Sequence, residues 1–314
     1  MPIHRTPDEH FEGLEGWPFA PHYTMIDRGA MVDRGAMVDG GAQGALRVAH
    51  AEAGPADGPA ILCMHGEPSW SYLYRRMLPI FAAAGARAIA PDLVGFGRSD
   101  KPSEQSDYSY ARHVGWMLDW FDRQDFHDLT LFCQDWGGLI GLRLVAARPE
   151  RFARVVVANS FLPTGEGKAS EAFLRWREFS QSVADFDSGW IVNGGTARGI
   201  SEAARAAYNA PFPDDRFKAG ARIFPMLVPT EPDSPEAHEN REAWKSLERF
   251  VKPLLTLFGD SDFVTLGAEK ALQARIPGAA GQDHRIIERA GHFIQEDAGE
   301  ELAALVLRFM RLSA

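Results

Sequence analysis

An acid, a second acid and a histidine, met in that order along the chain, could together displace a leaving group and hydrolyse what remains. They are Asp135 in Gln134-Asp135-Trp136-Gly137-Gly138, Asp262 third after Gly259, and His292 in Gly291-His292-Phe293. A carboxylate nucleophile has no proton to lose, so it can attack an sp³ carbon directly and leave an alkyl ester. His292, its charge supported by Asp262, would then activate water against the Asp135 carbonyl carbon. The oxyanion of that second step forms on Asp135 itself, where the backbone N–H groups of Glu67 and Trp136 are placed to receive it. The leaving group is inferred from the donors around it. The Trp136 indole offers one N–H and no acceptor, which suits a weakly hydrated anion such as chloride or bromide.

Taken singly, each residue has a plainer account. Asp135 could cap a helix, where anions are favoured. Asp262 could be a turn residue and His292 a satisfied loop histidine. Their joint placement is what argues for chemistry. Asp260 better fits lining the turn after its strand, and Cys133 reads as a small core residue rather than a nucleophile.

These groups need strand ends to hold them. Leu129 to Cys133 has the character of a buried strand, and Leu139 to Ala147 that of a helix, so Asp135 falls at the apex of a strand, a sharp turn and a helix. Ala60 to Met64 is a continuous apolar run suited to a parallel strand, and it empties into the loop His65-Gly66-Glu67-Pro68-Ser69-Trp70. A helix to about Ala84, a strand Arg87 to Pro91, a helix Tyr110 to Gln124 and a strand Arg154 to Asn159 continue the rhythm, which implies βαβ units and a mainly parallel sheet. Gly95-x-Gly97 hints at a phosphate loop, but Asp100 stands where a third glycine belongs, and nucleotide binding is rejected. Residues 161–230 hold no buried-strand run and are mostly helical patterns broken by Gly194-Gly195, Pro211, Pro213 and Pro225. The sheet pattern resumes at Pro253 to Phe258 and His284 to Glu288, and a helix Glu300 to Leu312 closes the chain. The expected organisation is a core over 1–160, a helical cap over 161–230 and the rest of the core over 231–314. Ligands in such α/β sheets bind beyond the carboxyl ends of the strands, where the acids and the histidine fall.

The turn at Asp135 resembles the nucleophile elbow of α/β-hydrolases, with an acid in place of serine, and the order acid, acid, histidine matches theirs with the same replacement. The segments His65 to Trp70, Gln134 to Gly138 and Gly291-His292-Phe293-Ile294-Gln295-Glu296 look like a haloalkane dehalogenase. The resemblance implies the α/β-hydrolase fold, a mainly parallel eight-stranded sheet flanked by helices with an inserted helical cap. It also implies nucleophile Asp135, base His292, acid Asp262 and halide donor Trp136. A second halide-binding tryptophan in a Phe-x-x-Trp context of the cap is matched by Phe173-Leu174-Arg175-Trp176, so Trp176 is the choice and Trp190 the fallback. A sister subfamily has asparagine at the position of Glu67; its absence leaves halide binding to two tryptophans and makes a buried Glu67 side chain something to explain.

Epoxide hydrolases share the fold, the acid nucleophile and the HGxP loop, but protonate the ring oxygen with two cap tyrosines, and only Tyr208 lies in 161–230. Fluoroacetate-type dehalogenases place arginine near the nucleophile. A non-catalytic binding protein of the same fold predicts a broken triad, and here all three members are present.

The chain of 314 residues, 45% hydrophobic and 24% charged, fits one large α/β domain with an insertion or two medium domains. A net charge of −10 argues against nucleic acid or an anionic membrane surface as partner. No apolar run approaches the roughly 20 residues of a membrane span, and residues 1–30 lack the pattern of a signal peptide. Cys63 and Cys133 are the two cysteines, both in expected core strands, so no disulfide is expected and the cytoplasm is the default compartment. The chemistry calls for no cofactor and no metal; its partners are a small apolar halogenated substrate, water and the halide product. Asp27-Arg28-Gly29-Ala30-Met31-Val32 is repeated at once as 33–38, read as a duplication that lengthens an edge hairpin or its turn.

Overall fold

Four apolar runs become the middle of one sheet because strands covered by helices on both faces can bury every side chain. In the computed structural model, which describes residues 2–33, 36–39, 44–166 and 168–312, eight strands form that sheet. They are β1 (Pro21–Asp27), β2 (Ala45–Ala53), β3 (Ala60–Met64), β4 (Arg87–Pro91), β5 (Leu129–Gln134), β6 (Phe152–Ala158), β7 (Leu254–Gly259) and β8 (Arg285–Ile287). Their spatial order is β8-β7-β6-β5-β3-β4-β2-β1. The pairs from β4 to β8 are parallel, whereas β1 with β2 and β2 with β4 are antiparallel. Every residue of β5 and of β7 is buried. The carboxyl ends of β3, β5 and β7 therefore share one edge, with Glu67, Asp135 and Asp262 just beyond them.

Helices α1 (Leu78–Ala83), α2 (Tyr110–Arg123) and α3 (Trp136–Ala147) follow the early strands. Between β6 and β7 come α4 (Glu171–Ser182), α5 (Ser188–Gly194), α6 (Glu202–Asn209), α7 (Ala219–Leu227) and α8 (Pro235–Leu247). The last of these leaves the inserted layer. Arg143 of α3 forms a buried ion pair with Glu239 and a hydrogen bond to Asn240, and the Trp244 indole donates to the Leu162 carbonyl, which binds α8 to the flank of the sheet. Pro225 does not break a helix, as its spacing suggests; it sits inside α7, two residues from the end, where its missing N–H costs a single intrahelical bond. The helices α9 (Glu269–Arg275) and α10 (Ile294–Met310) complete the flanks. The closing helix starts earlier than expected: α10 begins two residues after His292 and carries non-helical backbone at Ala298, so its periodicity is legible only beyond that kink.

The duplicated hexamer forms a hairpin of its own. Ala30–Asp33 pairs antiparallel with Ala36–Asp39, the Ala-Met-Val of one copy against that of the other, while Arg34 and Gly35 between them lie outside the described residues. The hairpin rests on α2. A Cβ on Gly115 would come within 2.3 Å of the Met31 backbone, and the Trp116 indole donates to the Arg28 carbonyl. Among the described residues no helix is long and apolar enough to cross a membrane.

Candidate active site

Asp135 is the single residue between a strand that ends at Gln134 and a helix that starts at Trp136. Its backbone has φ 51° and ψ −128°, a conformation that few residues other than glycine adopt, and α3 starts at the next residue. Two neighbouring glycines make the turn possible. A Cβ on Gly137 would lie 2.0 Å from the Met64 carbonyl oxygen, and one on Gly66 would lie 2.1 Å from Asp135 Oδ1. Ser160 donates its hydroxyl to the Asp135 carbonyl at 2.7 Å, which holds the turn from beneath.

The loop after β3 closes over the carboxylate. His65 accepts the Leu93 N–H on Nε2, so Nδ1 carries the proton and donates to the Gly66 carbonyl at 2.8 Å. Both nitrogens are thereby used in fixing the loop. The Glu67 N–H donates to Asp135 Oδ1 at 2.8 Å, and its side chain is buried on the wall of the same cavity. Trp70 takes no part: its indole donates to the Ala207 carbonyl.

His292 stands between two acids. Its Nδ1 is 3.2 Å from Asp262 Oδ2 and its Nε2 is 3.4 Å from Asp135 Oδ2. Asp262, 1% exposed, also accepts the Thr265 hydroxyl and the Val264 N–H, whereas Asp260 is exposed and accepts the Ser261 hydroxyl. Burial opposes charge on both members of the inner pair, and their attraction overcomes it. The Asp262 carboxyl is held below its usual range by His292, and the His292 ring is pushed up to about 10 by Asp262 and Asp135.

The supports of His292 carry no signal in local spacing. Asn159, at the end of β6 with φ 40°, donates to the carbonyls of Gly291 and His292 and accepts the Gly259 N–H. Gln134 donates to the His292 carbonyl at 3.0 Å. Asp297 is buried and accepts three backbone N–H groups at 2.8 Å, from Gly291 beside the histidine and from Ala197 and Arg198 in the inserted layer. Asp297→Ala strands all three donors. It is expected to cost about 3 kcal/mol, seen as a lower thermal midpoint, and to slow any step that uses His292 more than a step that uses Asp135 alone.

A cavity of about 400 Å³ lies above Asp135, lined by Trp136, Trp176, Trp190, Glu67 and His292 among mainly apolar groups. The Trp136 ring is fixed between Tyr110, met edge-on with centroids at 5.0 Å, and Phe224, tilted against it at 4.5 Å. Trp176 is half-buried and lines the same wall as Glu67, while Trp190 is 54% exposed and stacks on Phe179. Tyr208 is buried away from this wall, its hydroxyl donating to Glu296. Arg175 on the rim is largely exposed and paired with Glu171. The arrangement can present one carboxylate to an apolar molecule, offer indole N–H groups to what leaves, and activate water on an imidazole held between two acids.

A family model described as alpha/beta hydrolase fold matches residues 59–299. The chain is 51% identical over 310 residues to the haloalkane dehalogenase of Psychrobacter cryohalolentis, covering 99% of this chain and 98% of that one. It is 50% identical over 311 residues to haloalkane dehalogenase 1 of Mycobacterium tuberculosis, covering 99% of each. Among solved structures, the tetrameric haloalkane dehalogenase of Paraglaciecola agarilytica matches with a TM-score of 0.85 at 34% identity, over 96% of this chain and 97% of that one.

Proposed function

The chain belongs to the haloalkane dehalogenases, hydrolases of carbon–halogen bonds with the α/β-hydrolase fold, and on that premise we propose which of its residues do the work. Asp135 attacks the halogen-bearing carbon; the C–O bond forms as the carbon–halogen bond breaks, and the electron pair leaves with the halide. His292 then takes a proton from water as the water oxygen attacks the ester carbonyl of Asp135. Asp262 fixes the ring and supports its charge, and the N–H groups of Glu67 and Trp136 receive the oxyanion. The alcohol departs, Asp135 is again a carboxylate, and one proton is released per turnover.

The observation that carries this reading is the position of His292, 3.4 Å from Asp135 and 3.2 Å from Asp262, on the wall of an apolar cavity. The charge on His292 also fits the order of events. Burial disfavours it and both acids favour it, so esterification of Asp135 removes one of its two supports and lowers the ring's pKa as the base is needed. We assign residues 161–230 as a cap over the site, with a small apolar haloalkane as substrate, since little in the cavity wall would hold a charged one. Two buried, unpaired cysteines, Cys63 and Cys133, accord with a reducing cytoplasm as its compartment.

Trp136 and Trp176 are the proposed halide donors, and bromide titration of tryptophan fluorescence tests them. Trp136→Phe and Trp176→Phe are each expected to weaken bromide about tenfold to hundredfold, the scale of one hydrogen bond to a charged group. Trp190→Phe is expected to leave affinity unchanged. A loss in Trp190→Phe with none in Trp176→Phe would move the second donor to Trp190.

A further inference from the structure

Gln134 is the last residue of β5, fully buried beside the elbow, and its amide meets His292 twice. The amide nitrogen is 3.0 Å from the His292 carbonyl oxygen and 3.3 Å from His292 Nε2, the ring nitrogen that faces Asp135. The carbonyl fixes which way the amide faces, because turning it over would set Oε1 against that oxygen. Oε1 itself is buried and has no hydrogen-bond partner among the described residues. A side chain that leaves its acceptor unmet while its nitrogen meets one residue twice calls for an account.

An amide nitrogen has two N–H groups and accepts none. One goes to the carbonyl. The other is left for Nε2, which can accept it only while the ring is neutral with its proton on Nδ1, toward Asp262. A proton on Nε2 would face a second N–H. The charged groups around the ring act the other way: Asp262, from the loop after β7, and Asp135, from the elbow, both favour the protonated ring. The buried Glu67 carboxyl interacts with it from the loop after β3, and Arg175 on the cavity wall is turned largely to solvent.

We propose that Gln134 is a positioning residue for ester hydrolysis: its second N–H favours the neutral His292 ring with a lone pair on Nε2, the form that takes a proton from water. In the unreacted protein two acids outweigh one amide. Once Asp135 is an ester one acid remains, and the amide decides more of the balance. Water must displace the N–H to reach the lone pair. The 3.3 Å contact is the weaker of the two and gives way, while the 3.0 Å bond to the carbonyl keeps the amide in place. The inference rests on the roles of Asp135 and His292 proposed above.

The test follows decay of the Asp135 ester against pH, by rapid quenching and intact-protein mass after a single turnover of a short bromoalkane, in wild type, Gln134→Met and Gln134→Glu. Gln134→Met fills similar space with no N–H, and Asn159 still donates to the His292 carbonyl at 3.0 Å. Its halide burst is expected to match wild type. The midpoint of its hydrolysis profile is expected to rise by about half a pH unit to one unit, the worth of one hydrogen bond. Without the amide the ring keeps its proton to higher pH, so hydrolysis slows below the midpoint and is no slower on the plateau. In Gln134→Glu at most one O–H remains, which the His292 carbonyl takes, and an oxygen replaces the second N–H beside Nε2; its midpoint is expected to rise at least as far. A Gln134→Met profile lowered evenly at every pH, with its midpoint unmoved, would show that Gln134 only buttresses the His292 backbone and overturns the proposal. A midpoint that falls in either variant overturns it as well. If Gln134→Met does not fold, Gln134→Glu decides alone, and a midpoint at or below that of wild type overturns the proposal. Failure of the underlying site assignment looks different, because His292→Gln would then accumulate no ester on Asp135.

Discussion

Asp135→Ala is expected to abolish halide release from bromoalkanes, with a loss on the order of 10⁶, as when a covalent nucleophile is removed from a serine hydrolase. Asp135→Asn, which keeps the shape and removes the charge, is expected to match it at short times. Neither should unfold the protein. The turn is held by the Ser160 hydroxyl on the Asp135 carbonyl and by close approach at Gly137, and neither contact uses the carboxylate. The measurement is halide release beside a thermal melt. A variant that melts like wild type and still releases halide within a hundredfold of it would mean that water attacks the substrate directly, with Asp135 only as its base.

His292→Gln is expected to separate the two halves of the reaction. Displacement needs the Asp135 carboxylate and the halide donors, so one equivalent of halide should appear in a burst. The ester then persists because general-base assistance, worth about 10² to 10⁴ in rate, is gone. Intact-protein mass should rise by the alkyl group, and peptide mapping should locate it on Asp135. In wild type the free ring is pushed up to about 10 by two carboxylates working against burial, so the unreacted site holds an imidazolium below that pH. Once Asp135 is an ester, one carboxylate remains and the folded-state pKa falls. The hydrolysis rate is therefore expected to rise with pH through a midpoint below about 10 and then level, where the ring in the unreacted protein is still protonated. A midpoint equal to that of the unreacted protein would show that Asp135 does not support the charge on His292.

Asp135, Asp262 and His292 are legible in the sequence for one physical reason. Each follows a strand-like run, and a mainly parallel sheet brings the carboxyl ends of such runs to one edge, which the order β8-β7-β6-β5-β3-β4-β2-β1 realises. Asp262 is distinguishable from Asp260 by its offset from Gly259, and their burial differs accordingly. The supports are not legible. Asn159, Gln134 and Asp297 act on backbone groups far along the chain, and a side chain bonded to a distant carbonyl or N–H leaves no periodicity. Glu67 is intermediate: its motif marks the backbone N–H, but the burial of one side-chain oxygen without a partner depends on the folded surroundings and leaves no mark in the motif. The early start of α10 is hidden because the kink at Ala298 interrupts the helical repeat.

Asp297 joins two things that a hinged lid would keep apart. Swinging residues 195–198 outward would take the Ala197 and Arg198 N–H groups from a buried carboxyl that also anchors Gly291, the residue before the proposed base His292. Opening on that side and disarming the base are thus a single event, and the free energy that keeps the enzyme ready to react also keeps that side shut. Helices α4 and α7 are tied to one another instead, by the Arg222 side chain on the Val183 carbonyl, and their breathing leaves the histidine where it is. Molecular traffic and catalytic readiness are compatible across that wall and compete across the other, which makes the two rims of the cavity unequal as doors.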